Sequence, residues 1–237
     1  MNNQKIKVSK NGPYLVSGKI PLAKEIAIGN ANNGPTDWVR EEEMEVLENY
    51  ALCRCGHSRN KPFCDGTHQK IYFVALDIID QQLFTEKASK IVGPELDLYD
   101  YQKLCSGARF CHLGQSTWND VINSNNLEAK QNAIRSACNC PSGRLVVVDK
   151  QTGKMIEPDY QPVIGITEDP LAGVSGPLAV KGNIEIETSD GEKYETRNRV
   201  TLCRCGLSKN MPFCDAKHLG SSFNDGDKSL KPKRNNE

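Results

Sequence analysis

The chain has 237 residues, with 30 lysines plus arginines, 30 aspartates plus glutamates and a formal charge of zero. That balance removes any global electrostatic case for binding nucleic acid or an anionic membrane. Hydrophobic residues are 38% and aromatics 6%, which favours small modules held by something besides apolar burial over one deep core.

Taken in order, the chain opens on Gly12-Pro13-Tyr14-Leu15-Val16-Ser17-Gly18, where Tyr14–Val16 and Lys19–Ile20 read as short strands. A polar stretch follows, and then a loop rich in Gly, Ser, Asn and Pro that carries Cys53, Cys55, Cys64 and His68. Asp65 is a suitable helix N-cap, which predicts a first turn over Gly66–His68 and sets Cys64 and His68 four residues apart on one face. Residues 72–165 form a separate segment. In it Ala75–Ser89 is ambiguous between helix and strands, and Asn125 with Glu128 predicts a capped helix from Leu127 towards Ala137. Leu145–Val148, the turn Gln151–Gly153 and Lys154–Ile156 predict a hairpin.

The opening pattern then returns. Gly176-Pro177-Leu178-Ala179-Val180-Lys181-Gly182 repeats the first Gly-Pro element, and Leu202–His218 nearly copies Leu52–His68. Ile184–Glu187, the turn Ser189–Gly191 and Tyr194–Arg199 predict a hairpin. From Ser221 the chain is polar, with Lys228, Lys231, Lys233 and Arg234, and is expected as a disordered, solubilising tail. The organisation expected is a first module at 1–71, a central unit at 72–165, a second module at 166–220 and a tail at 221–237.

There are 10 cysteines and 4 histidines, and every histidine lies within a few residues of a cysteine. The N-terminal stretch has no apolar core of signal-peptide length, and no apolar run exceeds Ile71–Leu76. A cytoplasmic, reducing location is therefore expected, with the cysteines as metal ligands before disulfides. Thiolate and imidazole suit iron and zinc alike. One residue between Cys53 and Cys55, and between Cys203 and Cys205, is tighter than the usual zinc-finger spacing. Arg54 and Arg204 either offset charge at such a centre or are plain exposed residues. His57, opposite Leu207 in the repeat, reads as a surface residue.

The string Cys-x-Cys-x2-Ser-x3-Pro-Phe-Cys-Asp-Gly-x-His resembles the CDGSH (NEET-type) iron–sulfur proteins. The first copy matches throughout, and the second departs at Ala216. The resemblance implies two 2Fe-2S clusters, one on Cys53, Cys55, Cys64 and His68, the other on Cys203, Cys205, Cys214 and His218. It also implies an α+β fold, in which two small β-rich modules pack as a pseudo-symmetric pair within a monomer, with a ferredoxin-like domain inserted. Ala216 is acceptable at negative φ and strained at positive φ.

In the central segment, Cys105-x5-Cys111 and Cys138-Asn139-Cys140-Pro141-Ser142-Gly143-x-Leu145 resemble the divergent single-cluster ferredoxin domains. That resemblance implies a 3Fe-4S or 4Fe-4S cluster on Cys105, Cys111 and Cys140, with Cys138 as a candidate fourth ligand. His112 follows the second cysteine, whereas the family often has a histidine near the first. Reduced buried thiols or a structural zinc are the alternatives.

Neither a dinucleotide fingerprint nor a P-loop occurs, and no nucleophile–base arrangement stands outside the cysteine motifs. The chain reads as an electron or cluster carrier rather than an enzyme, serving a redox or cluster-accepting protein partner, with no nucleic acid and no membrane. A zinc-stabilised interaction module is the alternative.

Overall fold

The computed structural model describes residues 4–30, 34–78 and 82–230. The first half forms β1 (Lys5–Val8), β2 (Tyr14–Ser17), β3 (Leu22–Asn30), β4 (Gly34–Met44), β5 (Asn49–Leu52) and the one-turn α1 (Thr67–Lys70). The central part forms α2 (Phe84–Lys87), β6 (Ser89–Val92), β7 (Leu96–Asp100), α3 (Thr117–Ile122), α4 (Leu127–Asn139), β8 (Leu145–Asp149) and β9 (Met155–Ile156). The second half forms β10 (Val163–Asp169), β11 (Val174–Lys181), β12 (Glu185–Glu187), β13 (Arg199–Leu202) and α5 (Lys217–Gly220). The fold is α+β and mostly strand.

Among the described residues three sheets result, with orders β12-β1-β2-β5, β13-β11-β10-β3-β4 and β6-β7-β8-β9. The two outer sheets exchange a strand. β12, from the second half, runs parallel to β1 with Ile6 opposite Ile186. β3, from the first half, runs parallel to β10 with Ala23 opposite Gly165. This corrects the hairpin expected at Ile184–Arg199. Its turn forms, with a single bridge from Glu187 to Lys193, but Arg199–Leu202 pairs with β11. Alternation marks Ile184 and Ile186 as strand residues without naming the partner, and burial against Ile6 in the shared core decides it. Lys19–Ile20 is likewise not a strand; β3 begins at Leu22.

The exchange gives the two halves one core. Ile6, Tyr14, Val16 and Leu52 pack in a single buried cluster with Ile164, Leu178, Val200 and Leu202. The low hydrophobic content thus does not mean a separate core for each half. Glu25 of β3 and Lys181 of β11 form a buried ion pair across the halves at 2.7 Å, to both carboxylate oxygens.

The central unit has its own core of Leu96, Leu98, Val121, Ala133, Ala137, Leu145 and Val147. The β8–β9 hairpin forms as expected. α4 starts as expected, but its cap is Asn126, whose Oδ1 accepts from Ala129 N at 3.1 Å, and not Asn125. In the stretch read as ambiguous, residues 79–81 lie outside the described residues, and regular structure is confined to the single turn of α2 and the first residue of β6. The long β3–β4 hairpin, read as a polar stretch, reaches this unit. Trp38 Nε1 donates to Asn139 O at 3.0 Å, and the Trp38 ring lies 4.8 Å from that of Phe110. The strand β10 begins at Val163, ahead of the expected boundary at 166.

The tail is ordered as far as it is described. Asp225 pairs with Arg204, Asp227 pairs with Lys24 at 2.5 Å, and Leu230 is buried. Residues 231–237 of the expected disordered tail lie outside the described residues. Among the described residues no helix is long and apolar enough to cross a membrane.

Candidate metal centres

Each cysteine loop is folded by the same set of bonds. Cys53 N donates to Pro62 O at 2.8 Å and Cys64 N to Ala51 O at 2.9 Å; Cys203 N and Cys214 N repeat this to Pro212 O and Thr201 O, both at 2.9 Å. Ser58 Oγ donates to Phe63 O, and Ser208 Oγ to Phe213 O, each at 2.6 Å. Asp65 holds the end of the loop, accepting from Arg59 N at 2.9 Å and Thr67 N at 3.0 Å, and Asp215 does the same for Lys209 N and Lys217 N. The aspartates therefore cap as expected, but one residue further out: Gly66 and Ala216 occupy the N-cap positions, both left-handed. Ala216 has φ 67, the strained case, where Gly66 has φ 82 without penalty.

The side chains expected as ligands come together in pairs. Cys53 and Cys55 sulfurs are 3.8 Å apart, and Cys203 and Cys205 sulfurs 3.6 Å. Cys64 Sγ lies 3.4 Å from His68 Nδ1, and Cys214 Sγ 3.5 Å from His218 Nδ1. Two ligands on one tetrahedral metal, at bonds of about 2.3 Å to sulfur and about 2.0 Å to nitrogen, stand about 3.8 Å apart for two sulfurs and about 3.5 Å apart for a sulfur and a nitrogen. Each loop thus offers two tetrahedral edges. Among the described residues no three His, Cys, Asp or Glu side chains converge as for a single ion. Two pairs per loop suit a binuclear centre, and the donor set fits the expected group.

The thiols are tuned by proximity. Within each close pair the contact with the neighbouring sulfur, aided by backbone N–H groups, lowers Cys53 and Cys203 to about 6, and the second thiol of the pair is pushed up. Burial raises Cys64 and, more strongly, Cys214. Arg54 and Arg204 are not exposed: both are buried. Arg54 donates to Ser9 O and pairs with Asp77; Arg204 donates to Gly176 O and Thr167 O and pairs with Glu168 at 2.7 Å and with Asp225. Sequence reasoning missed Tyr14, whose hydroxyl donates to Cys203 O at 2.7 Å and to Pro212 O at 3.1 Å, bracing the second loop from the first half. No local pattern signals a contact across 189 residues.

The two loops are not equivalent in exposure. His218 is 4% exposed, while His68 is half-buried and borders a surface groove with Lys10, Asn11, Tyr72 and Val74. His57 is exposed, as expected.

In the central unit Cys105, Cys111 and Cys140 line one small cavity with Arg144. Arg144 is held by Asp100 at 2.6 and 2.8 Å and lies over the Trp118 ring at 5.4 Å, so a fixed cation stands beside three thiols. Burial, then the neighbouring Cys140, raises Cys111 to about 11. The buried Arg199 pins the Cys-Pro turn by donating to the carbonyls of Ala137, Cys138, Cys140 and Leu145 at 2.5–3.2 Å. Cys138 is the exception. Its sulfur is turned away, 3.8 Å from Ile156 O, and it does not line the cavity. With Cys140 turned inward, the residue two before it, at the end of α4, faces the other way. His112 is exposed and outside the cavity.

The family model for the iron-binding zinc finger of CDGSH type matches residues 11–69 and 175–219, and that for a divergent 4Fe-4S mono-cluster matches 91–150. This is an iron–sulfur protein with two CDGSH segments flanking a divergent 4Fe-4S segment. No curated protein and no solved structure matches the chain. The CDGSH segments fall within the two strand-exchanged halves, without β1 and β10, and the 4Fe-4S segment falls within the central unit.

Proposed function

We propose that this CDGSH protein is a three-centre iron–sulfur carrier of electrons or clusters. The two loops each hold a 2Fe-2S cluster on three cysteines and one histidine, and Cys105, Cys111 and Cys140 hold a 3Fe-4S or 4Fe-4S cluster without Cys138. Bound iron–sulfur clusters supply one-electron chemistry at these places. The paired ligand spacing of 3.4–3.8 Å in both loops carries the reading.

The chain's own residues set the order of the sites. Gly56 and Gly206 bring the two CDGSH loops into backbone contact, each against the other loop's second cysteine, which supports a pseudo-symmetric pair within one chain. Gly107, between Cys105 and Cys111, packs on Ala216 and Leu219 beside Cys214 and His218. The second loop is therefore the middle member of three, enclosed on both sides. The first loop, with His68 at the surface between Tyr72 and Val74 (88% and 69% exposed), is the side for a redox or cluster-accepting protein partner.

A single histidine ligand makes potential and retention depend on pH, because protonating imidazole removes a metal bond. The test is redox titration by EPR of the wild type, His68→Cys and His218→Cys between pH 6 and 8. Each substitution lowers the potential of its own site and abolishes most of that site's pH dependence. Unchanged potentials and profiles in both variants contradict the reading, and a colourless protein with bound zinc replaces it with the zinc-stabilised module.

A further inference from the structure

The segment that follows each CDGSH loop takes the same course in both copies. Phe73 N donates to His68 O at 2.9 Å, and Phe223 N to His218 O at 3.0 Å. Ala75 N donates to Asn11 Oδ1 and Asp225 N to Ser175 Oγ, both at 3.0 Å. The backbone turns through positive φ at equivalent places, 51 at Tyr72 and 52 at Ser222. Exposure alternates alike: residues 72, 74 and 76, and residues 222, 224 and 226, face solvent, while Phe73 and Phe223 pack inward on Cys203, Cys205 and Met211.

The outward residues differ in kind. The second copy has Ser222, Asn224 and Gly226, and the first has Tyr72, Val74 and Leu76, the last 84% exposed. The same backbone therefore accepts polar residues or none at these places, and the inward residues already anchor the segment. A bulky residue at positive φ is an outlier, so local preference does not put Tyr72 there. Three large apolar side chains in a row in water, beside the half-buried His68, mark an interaction surface. Charge selects what covers it. Lys10 lines the groove with His68 and Tyr72, and Lys70 stands on the same helical turn as His68; both are exposed, and neither is bonded to a carboxylate among the described residues. The nearby carboxylates are committed, Asp65 to the N–H groups of Arg59 and Thr67 and Asp77 to Arg54. A second copy laid on the same stripe would set these lysines against their own kind. Anionic membranes call on clusters of about four to eight basic residues, more than stand here.

We infer that Tyr72, Val74 and Leu76 form the docking stripe for an acidic redox protein, whose apolar patch covers them and whose surrounding carboxylates meet Lys10 and Lys70. The inference rests on the reading of the first loop as the exchange side of the carrier, and it names the chemistry of the partner there. Small interfaces of this make-up, an apolar centre within a charged rim, suit transient redox encounters.

The test is calorimetric titration of the full chain, as purified and with its iron counted, with plant-type ferredoxin as the acidic protein probe. Ferredoxin binds one to one with a Kd below about 1 mM, and more weakly as salt rises to the physiological level. Tyr72→Ser with Val74→Asn, the residues that the second copy carries on the same backbone, weakens binding about tenfold or more and leaves the iron content unchanged. Lys10→Glu with Lys70→Glu weakens it in the same sense and removes the salt dependence. No saturable binding, or binding that both variants leave unchanged, overturns the inference. So does binding to phosphatidylserine vesicles, or self-association in sedimentation, that the Tyr72 and Val74 variant abolishes, since a membrane or a second copy then covers the stripe. Docking that the variants weaken in a chain without iron keeps this inference and overturns the carrier reading alone; a full iron count with docking unmoved by either variant does the reverse.

Discussion

Gly56 faces the carbonyl of Cys205 so closely that a β-carbon on it would stand 2.4 Å from that oxygen, and Gly206 stands to Cys55 in the same way at 2.3 Å. Both glycines also have φ near +80. The two metal-binding loops are thus fixed against each other by backbone, with no side chain between them.

Gly56→Ala therefore damages both loops. A methyl group there meets main chain, which cannot swing aside, and its φ is unfavourable as well. The expected loss is about 2 kcal/mol or more of stability, with metal lost from the second CDGSH site as well as the first. Thermal melting with iron analysis checks this; loss confined to the first site goes against it.

Tyr14→Phe acts across the halves. It removes the hydroxyl donor from Cys203 O, its shorter contact, and from Pro212 O, which keeps its bond from Cys203 N. A destabilisation of about 1–3 kcal/mol follows. Metal retention under a chelator challenge falls at the second site, although Tyr14 lies in the first module.

Ala216→Gly runs the other way. The alanine sits at φ 67 where the first copy has glycine, and relieving a left-handed non-glycine residue stabilises by about 1 kcal/mol, less the extra freedom of glycine in the unfolded chain. A small rise in Tm is expected, with spectra of the second centre unchanged. A fall in Tm shows that the alanine is not strained.

The metal-stripped chain has a defined acid weakness at His218. Burial first, then the Arg204 guanidinium, lowers its pKa from the ordinary 6.5 to about 4. The unfolded chain takes up the proton below about 6.5 while the folded chain refuses it until about 4. Stability is thus complete above that window and falls as pH falls through it, by at most about 3 kcal/mol. Denaturant melts of the stripped protein from pH 7 to 4 measure the slope, and His218→Gln flattens it.

Sequence carried the chemistry further than the architecture. The pairing of the eight candidate ligand side chains in the CDGSH loops, the loop conformation, the start of α4 and the β8–β9 hairpin are all local, set by spacing, turn residues and capping. The strand exchange was not legible, because alternation marks Ile6, Ile186 and Leu22 as strand residues but does not name the strand across from them. For Arg54 and Arg204 sequence left charge offset at the centre and plain exposure both open; Asp77, Glu168 and Asp225, all outside the cysteine motifs, supply the charges that let the two arginines be buried. Cys138 and Cys140 look alike in sequence. Only the end of α4 and the Arg199 contacts turn one inward and the other away.

The central claim is three iron–sulfur centres, the third on Cys105, Cys111 and Cys140 alone. Iron per chain after anaerobic purification, read with EPR, tests it most directly in the wild type, Cys138→Ser and Cys111→Ser. Two 2Fe-2S clusters and one 3Fe-4S or 4Fe-4S cluster give seven or eight irons, so the wild type and Cys138→Ser carry that number and Cys111→Ser carries four. Four irons or fewer in the wild type, or zinc in place of iron, contradicts the account.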